Sequence, residues 1–129
     1  MTKIRQILLV MLLALFSQGL NAQNGTEALV QNLQTANFSN LLVYWDNQVE
    51  VNLPDQSNQK QYTAKEANEM LRVFFNKNNI LGFEKNAERK VGTTVYLTGK
   101  LLSGSTKFKI TLLLQVNKKE LTIVSVRVS

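Results

Sequence analysis

The sequence predicts an α+β domain in which N-terminal helices pack on one face of a curved antiparallel sheet. Three observations carry this. Helical periodicity is confined to residues 26–77. From Ile80 onward an alternation of period two takes over and runs to residue 128. A single short stretch of the same alternation, Val49, Val51 and Leu53, interrupts the helices. Helices and strands segregated along the chain define α+β rather than α/β.

The first 22 residues stand apart from this domain. Lys3 and Arg5 make a short basic start, Ile7–Phe16 is an unbroken apolar run of ten residues, and SQGLNA ends on the small residue Ala22. This is the layout of a secretory signal peptide, with cleavage expected after Ala22. The run is too short to span a bilayer, which needs about 20 residues. The sequence has no cysteine, which excludes disulfides, thiolate metal sites and a lipid anchor built on cysteine. A soluble protein is expected, exported to the periplasm or the extracellular space. Its single domain, residues 23–129, is long enough to bury a core.

Removing Lys3 and Arg5 leaves 13 basic and 9 acidic side chains, a net charge of +4. That balance suits weak attraction to anionic surfaces. The basic residues are scattered, with Arg89-Lys90 and Lys118-Lys119 the only adjacent pairs. No nucleic-acid partner is expected from such a pattern.

The domain begins with a helix that Thr26 can cap, carrying Leu29, Val30 and Leu33 on one face and ending at Asn37. Ser39 can cap a short second helix with Leu41, Leu42 and Trp45 at helical spacing. The strand of Val49, Val51 and Leu53 follows, then a loop from Pro54 to Asn58. Thr63 and Glu66 form a capping box for a third helix, with Tyr62 as a staple just before it. Ala67, Met70, Leu71, Phe74 and Phe75 are its apolar stripe, Lys65, Glu69 and Arg72 its outward face, and Asn78-Asn79 its stop.

Four strands close the chain, near residues 81–91, 93–102, 106–116 and 120–128. Ser103-Gly104-Ser105 and Asn117-Lys118-Lys119 are tight-turn material, so the last three strands should form hairpins. Phe108, Ile110, Leu112, Leu114 and Val116 share one face of their strand; Lys107, Lys109, Thr111, Leu113 and Gln115 share the other. In the last strand Leu121 and Ile123 follow one parity, Val124, Val126 and Val128 the other, which a bulge near Val124-Ser125 reconciles. Three helices on one face of such a sheet make a cone, with room for a cavity between the layers.

This order of elements resembles the cone-shaped nuclear transport factor 2-like fold, also called cystatin-like. More narrowly, the chain is similar to a family of small exported bacterial proteins, domain of unknown function 4783. The similarity lies in ALVQNLQTANFSNLLVYWDNQVEVNLP, YTAKEANEMLRVFFNKN and FKITLLLQVNKKELTIVSVRV, which together cover most of residues 28–128. The resemblance implies fold and export, and carries no activity with it.

Chemistry must therefore be sought in particular groups. The sequence has no His and no Cys, which excludes Cys-His and Ser-His nucleophilic arrangements. The nine carboxylates show no calcium-loop spacing, and there is no glycine-rich phosphate loop, so neither metal nor cofactor is expected. The aromatic-acid corner Tyr44, Trp45 and Asp46, together with Glu50, Phe74 and Arg127, remains as a candidate lining or rim of the cone. Glu50 faces the cone or the solvent according to which side Val49 and Val51 bury. Tyr96, Thr98, Thr111 and Leu113 fall on the opposite sheet face, where a homodimer can form. The leading expectation is a non-enzymatic binding or interaction module holding a small apolar ligand or a partner peptide. The alternatives are an acid–base enzyme using Asp46 or Glu50 with Tyr44, or a structural homodimer.

Overall fold

The computed structural model describes residues 25–56, 60–104 and 106–129; the expected signal peptide and its cleavage site lie outside the described residues. Helix α1 spans Gly25–Gln34 and a four-residue α2 spans Phe38–Leu41. A 3₁₀ turn, Leu42–Tyr44, leads into β1, Trp45–Asn52. A short strand β2, Lys60–Tyr62, precedes α3, Ala64–Lys77. The strands β3 (Gly82–Val91), β4 (Thr94–Ser103), β5 (Thr106–Asn117) and β6 (Glu120–Val128) complete the chain.

The capping box is formed as its spacing requires. Thr63 Oγ1 accepts from the Glu66 N–H at 3.2 Å and Glu66 Oε1 accepts from the Thr63 N–H at 3.1 Å. Two other caps differ from expectation. Thr26 lies inside the first turn of α1, which already includes Gly25. Asn37, rather than Ser39, caps α2, its Oδ1 accepting from the Asn40 N–H at 3.2 Å. Ala36, at φ +53, turns the chain out of α1, so Asn37 starts one helix where it was expected to stop another.

The sheet has six strands in the order β2-β1-β6-β5-β4-β3. The expectation of an antiparallel sheet holds for β3 to β6 and for β1 with β2. It needs correction at one place: β1 pairs with β6 in parallel, so the sheet is mixed. No hairpin joins these two strands, and the long crossover between them leaves their relative direction free. The bulge expected near Val124 is present. The register steps from Leu113–Ser125 to Leu114–Ile123, leaving Val124 as the extra residue. Ile123, Val126 and Val128 can then all face the core.

One sheet face buries a continuous apolar cluster under the helices. Leu29 and Leu33 of α1, Leu71, Phe74 and Phe75 of α3, and the inward residues of β4 to β6 meet there. Phe38 and Phe75 pack edge to face with ring centroids 5.0 Å apart, and Phe74 and Phe108 do so at 5.2 Å. Among the described residues no polar or charged side chain is buried. Trp45, expected on the second helix, is instead the first residue of β1 and only 5% exposed.

Gly99 is the most crowded of the described glycines. A Cβ there would stand 2.5 Å from both the Glu84 carbonyl oxygen and the Phe83 ring. Phe83 therefore lies across β4 at the one position with no side chain. Gly99→Ala is expected to destabilise the fold by about 1–3 kcal/mol through overpacking against backbone. Urea unfolding of the variant checks it, with the midpoint falling at unchanged slope.

Candidate functional site

The flank of α3 that does not face the core carries Lys65, Glu66, Glu69, Met70, Val73 and Lys77. These recur at helical spacing, so they form one stripe. Beside this stripe the chain leaves β1 through Leu53, Asp55 and Gln56 and returns through Tyr62. The two sides enclose a groove of about 670 Å³. Leu53, Tyr62, Met70, Val73 and Phe74 supply its apolar lining; Asp55, Lys65, Glu66, Glu69 and Lys77 are its charged residues. Val73 is 48% exposed, an aliphatic side chain with no partner of its own on this flank.

Four of the five charged residues have partners, one pair of them within the groove and two with residues beside it. Lys77 Nζ meets Asp55 Oδ2 at 3.2 Å, joining α3 to the loop after β1. Arg72 forms a two-point pair with Glu69. The Arg72 guanidinium holds the Glu69 carboxyl below its ordinary range, and Glu69 in turn raises Arg72. Glu66 is also lowered, first by the backbone N–H of Thr63 and then by its hydroxyl.

A smaller hollow, about 370 Å³, lies between α1 and the α2 to 3₁₀ segment, lined by Ala28, Gln31, Asn32, Ser39, Asn40, Val43 and Tyr44. It contains no charged residue.

The structure disperses the six cone candidates. Tyr44 is half-buried and lines the smaller hollow. Trp45 lies in the core, its Nε1–H donating to Asn68 Oδ1 at 2.9 Å. Asp46 Oδ1 accepts from the next N–H, that of Asn47, at 2.8 Å, as a turn-forming Asp does. Glu50 and Arg127 are exposed on the face away from the helices. They occupy neighbouring strands with Glu50 opposite Ser125 and Asn52 opposite Arg127. Among the described residues no ion pair joins them. Phe74 alone reaches the groove.

The four outer-face residues fall together. Tyr96 is directly opposite Leu113, and Thr98 opposite Thr111, at the middle of the β4–β5 pair. Tyr96 is 43% exposed. The rows continue sideways, from Arg89 through Tyr96 and Leu113 to Ser125 and Glu50, and from Thr98 through Thr111 to Arg127 and Asn52.

Two features were not read from the sequence. Asn68 carries no distinguishing pattern in the helix, yet it accepts from the Trp45 indole and its Nδ2 also donates to the Phe38 carbonyl at 3.0 Å. The groove was missed because its far wall is a loop. The available signal was Val73, an aliphatic residue off the core stripe but at helical spacing from Met70 and Lys77.

Helices closing one face of a strongly curved sheet around an apolar interior define the nuclear transport factor 2-like class of α+β protein. The chain belongs to the domain of unknown function family DUF4783, whose sequence model matches residues 26–129. It is similar to the DUF4783 protein of Bacteroides fragilis at 21% identity, covering 78% of this chain and 92% of that one, with a TM-score of 0.69. The Bacteroides ovatus member is similar at 19% identity, 77% and 88% coverage, and a TM-score of 0.69. An NTF2-like protein of unknown function from Cytophaga hutchinsonii shares the fold at 13% identity, 84% and 88% coverage, and a TM-score of 0.58. No curated protein matches the chain.

Among the described residues no helix is long and apolar enough to cross a membrane. Nor do any three His, Cys, Asp or Glu side chains gather where they could hold a metal ion.

Asn68→Ala is expected to cost about 1–3 kcal/mol, because the Trp45 N–H would lose its acceptor in a nearly water-free site. Urea denaturation followed by tryptophan fluorescence reads both the loss and the changed indole environment. The lowered carboxyls of Glu66 and Glu69 give a second expectation. Their folded pKa values lie below the unfolded ones, so their stabilisation is complete above the ordinary carboxylate range. It is lost as pH falls through the lowered values. The acid limb of the stability curve should flatten in Glu66→Gln, as measured by melts across that range.

Proposed function

We propose that this protein is an exported, non-enzymatic binding module of the bacterial cell envelope. Its groove along α3 takes a small apolar ligand or the apolar side chains of a partner peptide. The groove itself carries the reading: about 670 Å³ in volume, with a mostly apolar lining and a charged border, beside a core with no comparable opening among the hollows described. Concave apolar surface with a few placed polar groups is the usual form of a small-ligand site. Export is supported by the basic-apolar-polar layout of residues 1–22.

The acid–base alternative finds less support. A general base in this fold class needs a carboxylate removed from water, where its pKa can rise toward neutrality. Glu50 is exposed on the outer face, and Asp46 is half-buried and spends one oxygen on the Asn47 amide. Tyr44 lies over the smaller hollow and not beside the groove.

The test is native mass spectrometry of the protein recovered from its own cell envelope, beside a Val73→Arg variant. Val73 is half-exposed, so the arginine should fill the groove without disturbing the core. The expected result is extra mass on the wild type that disappears on denaturation and is absent from the variant. The same spectrum should show a chain beginning near Gln23. A bare polypeptide in both samples, or equal extra mass on both, would overturn the groove reading.

A further inference from the structure

We infer that the outer face of the sheet docks on an anionic lipid surface through a cluster of cations centred on Lys109. The sequence scatters these residues; the register gathers them. Lys100 stands directly opposite Lys109, and Lys107 is the next outward residue of the same strand. Arg127 is opposite Thr111, and so diagonal to Lys109. Arg89, opposite Tyr96, adds a fifth cation toward the β3 edge. All five side chains are exposed.

By register three glutamates share this face, Glu84 opposite Lys100, Glu50 opposite Ser125 and, at the far end of β5, Glu120 opposite Asn117. Among the described residues the ion pairs are Arg72–Glu69, Lys77–Asp55 and Lys85–Glu88, so none of the five is held within one.

This arrangement is unfavourable by itself. Directly opposite like charges destabilise a strand pair. Diagonal neighbours about 7–8 Å apart still feel each other, since the Debye length in physiological salt is about 8 Å. Glu84 offsets part of this at Lys100, but no acidic side chain stands across from Lys107, Lys109 or Arg127, so the face gains when an anionic partner covers it.

The shape indicates what kind of partner. Both hollows described lie elsewhere, on the α3 flank and beside α1. The cations are spread over four strands, about 4.8 Å apart, and do not converge on one point. They suit a surface of many phosphates better than a single captured anion. Between them stand hydroxyls, Thr98 and Thr111, and the half-exposed Tyr96, a ring that settles at lipid headgroup level. The inference goes beyond the groove reading and stands or falls without it.

The experiment is flotation of the 23–129 chain, which contains every described helix, strand and buried residue. The probes are vesicles of phosphatidylcholine alone and of phosphatidylcholine with equimolar phosphatidylglycerol. Binding is expected only to the anionic vesicles and should weaken steeply with added salt. Each lysine near such a surface contributes about fivefold to partitioning, so K100Q/K109Q should bind about 25-fold more weakly. K118Q/K119Q, which removes the same charge at the far end of β5, is the control and should lose much less.

Thermal melts keep folding apart from binding in all variants. Failure of the wild type to float with anionic vesicles at low salt overturns the inference. So does an equal loss in the two double variants, which would reduce the effect to net charge. Retention of a soluble acidic peptide, poly-glutamate, with the same variant sensitivity and no vesicle binding would assign the face to a protein. A dimer in sedimentation that buries Tyr96 and excludes vesicles would assign it to a second copy of the chain.

Discussion

The side chain of Asn68 ties three elements together, and the rest of the molecule is arranged around that tie. It accepts from the Trp45 indole at the start of β1 and donates to the Phe38 carbonyl of α2, from its own place on α3. An indole N–H in an apolar setting needs an acceptor, and the same carboxamide gives the Phe38 carbonyl, which already accepts from the Leu42 N–H, a second donor. With the corner fixed, α3 lies over β1 and brings Phe74 and Phe75 onto Phe108 and Phe38. The same placement sets the α3 flank against the Leu53–Gln56 loop and so opens the groove. The Tyr44–Asp46 corner, a candidate rim of the cone in sequence, is in the fold a helix-to-strand turn whose tryptophan anchors the helix that walls the groove.

The sheet divides the molecule into two chemistries. Where the helices bury it, its inner face is apolar among the described residues, down to the glycine that lets Phe83 cross β4. Its outer face alternates hydroxyls, amides and cations. Beyond Phe83, β3 leaves the shelter of the helices, and both of its faces are exposed from Glu84 to Val91. Charges on both faces there, with a register shift between Lys85 and Ala87, make this free edge a poor template for another strand.

Much of this was legible because period and capping are local. The hairpins of β4 to β6 follow from alternation in Phe108–Val116 and from their turn residues, and the strand limits fall within about a residue of those expected. The Val124 bulge was readable because two apolar parities collide within one strand. The capping box needed only Thr63 and Glu66.

Elsewhere the local signal was ambiguous or missing. Asn37 and Ser39 are both good caps, and nothing nearby ranks them. Trp45 is at helical spacing from Leu41 and in strand phase with Val49 and Val51, so either period accommodates it. The parallel pairing of β1 with β6, the double duty of Asn68, and the groove wall at Leu53–Gln56 all join residues distant in sequence. Pattern alone does not contain them. The gathering of Lys100, Lys107, Lys109 and Arg127 belongs here too, since only strand register turns scattered charge into a patch.

The parallel β1–β6 pair also governs how the chain reaches this state. Val51 and Val126 are partners about 75 positions apart, with α3 and four strands between them. Closing so long a loop carries a large entropic penalty that only the completed sheet offsets. The four-strand meander and the well-capped α3 can form from neighbours along the chain, whereas β1 must wait for an edge to join. Contacts of such high sequence separation slow folding. Until β1 arrives, the apolar side of β6 and its unpaired backbone are the most adhesive surface of the half-made molecule. The vulnerable period of this protein is therefore the interval before its first strand finds its last.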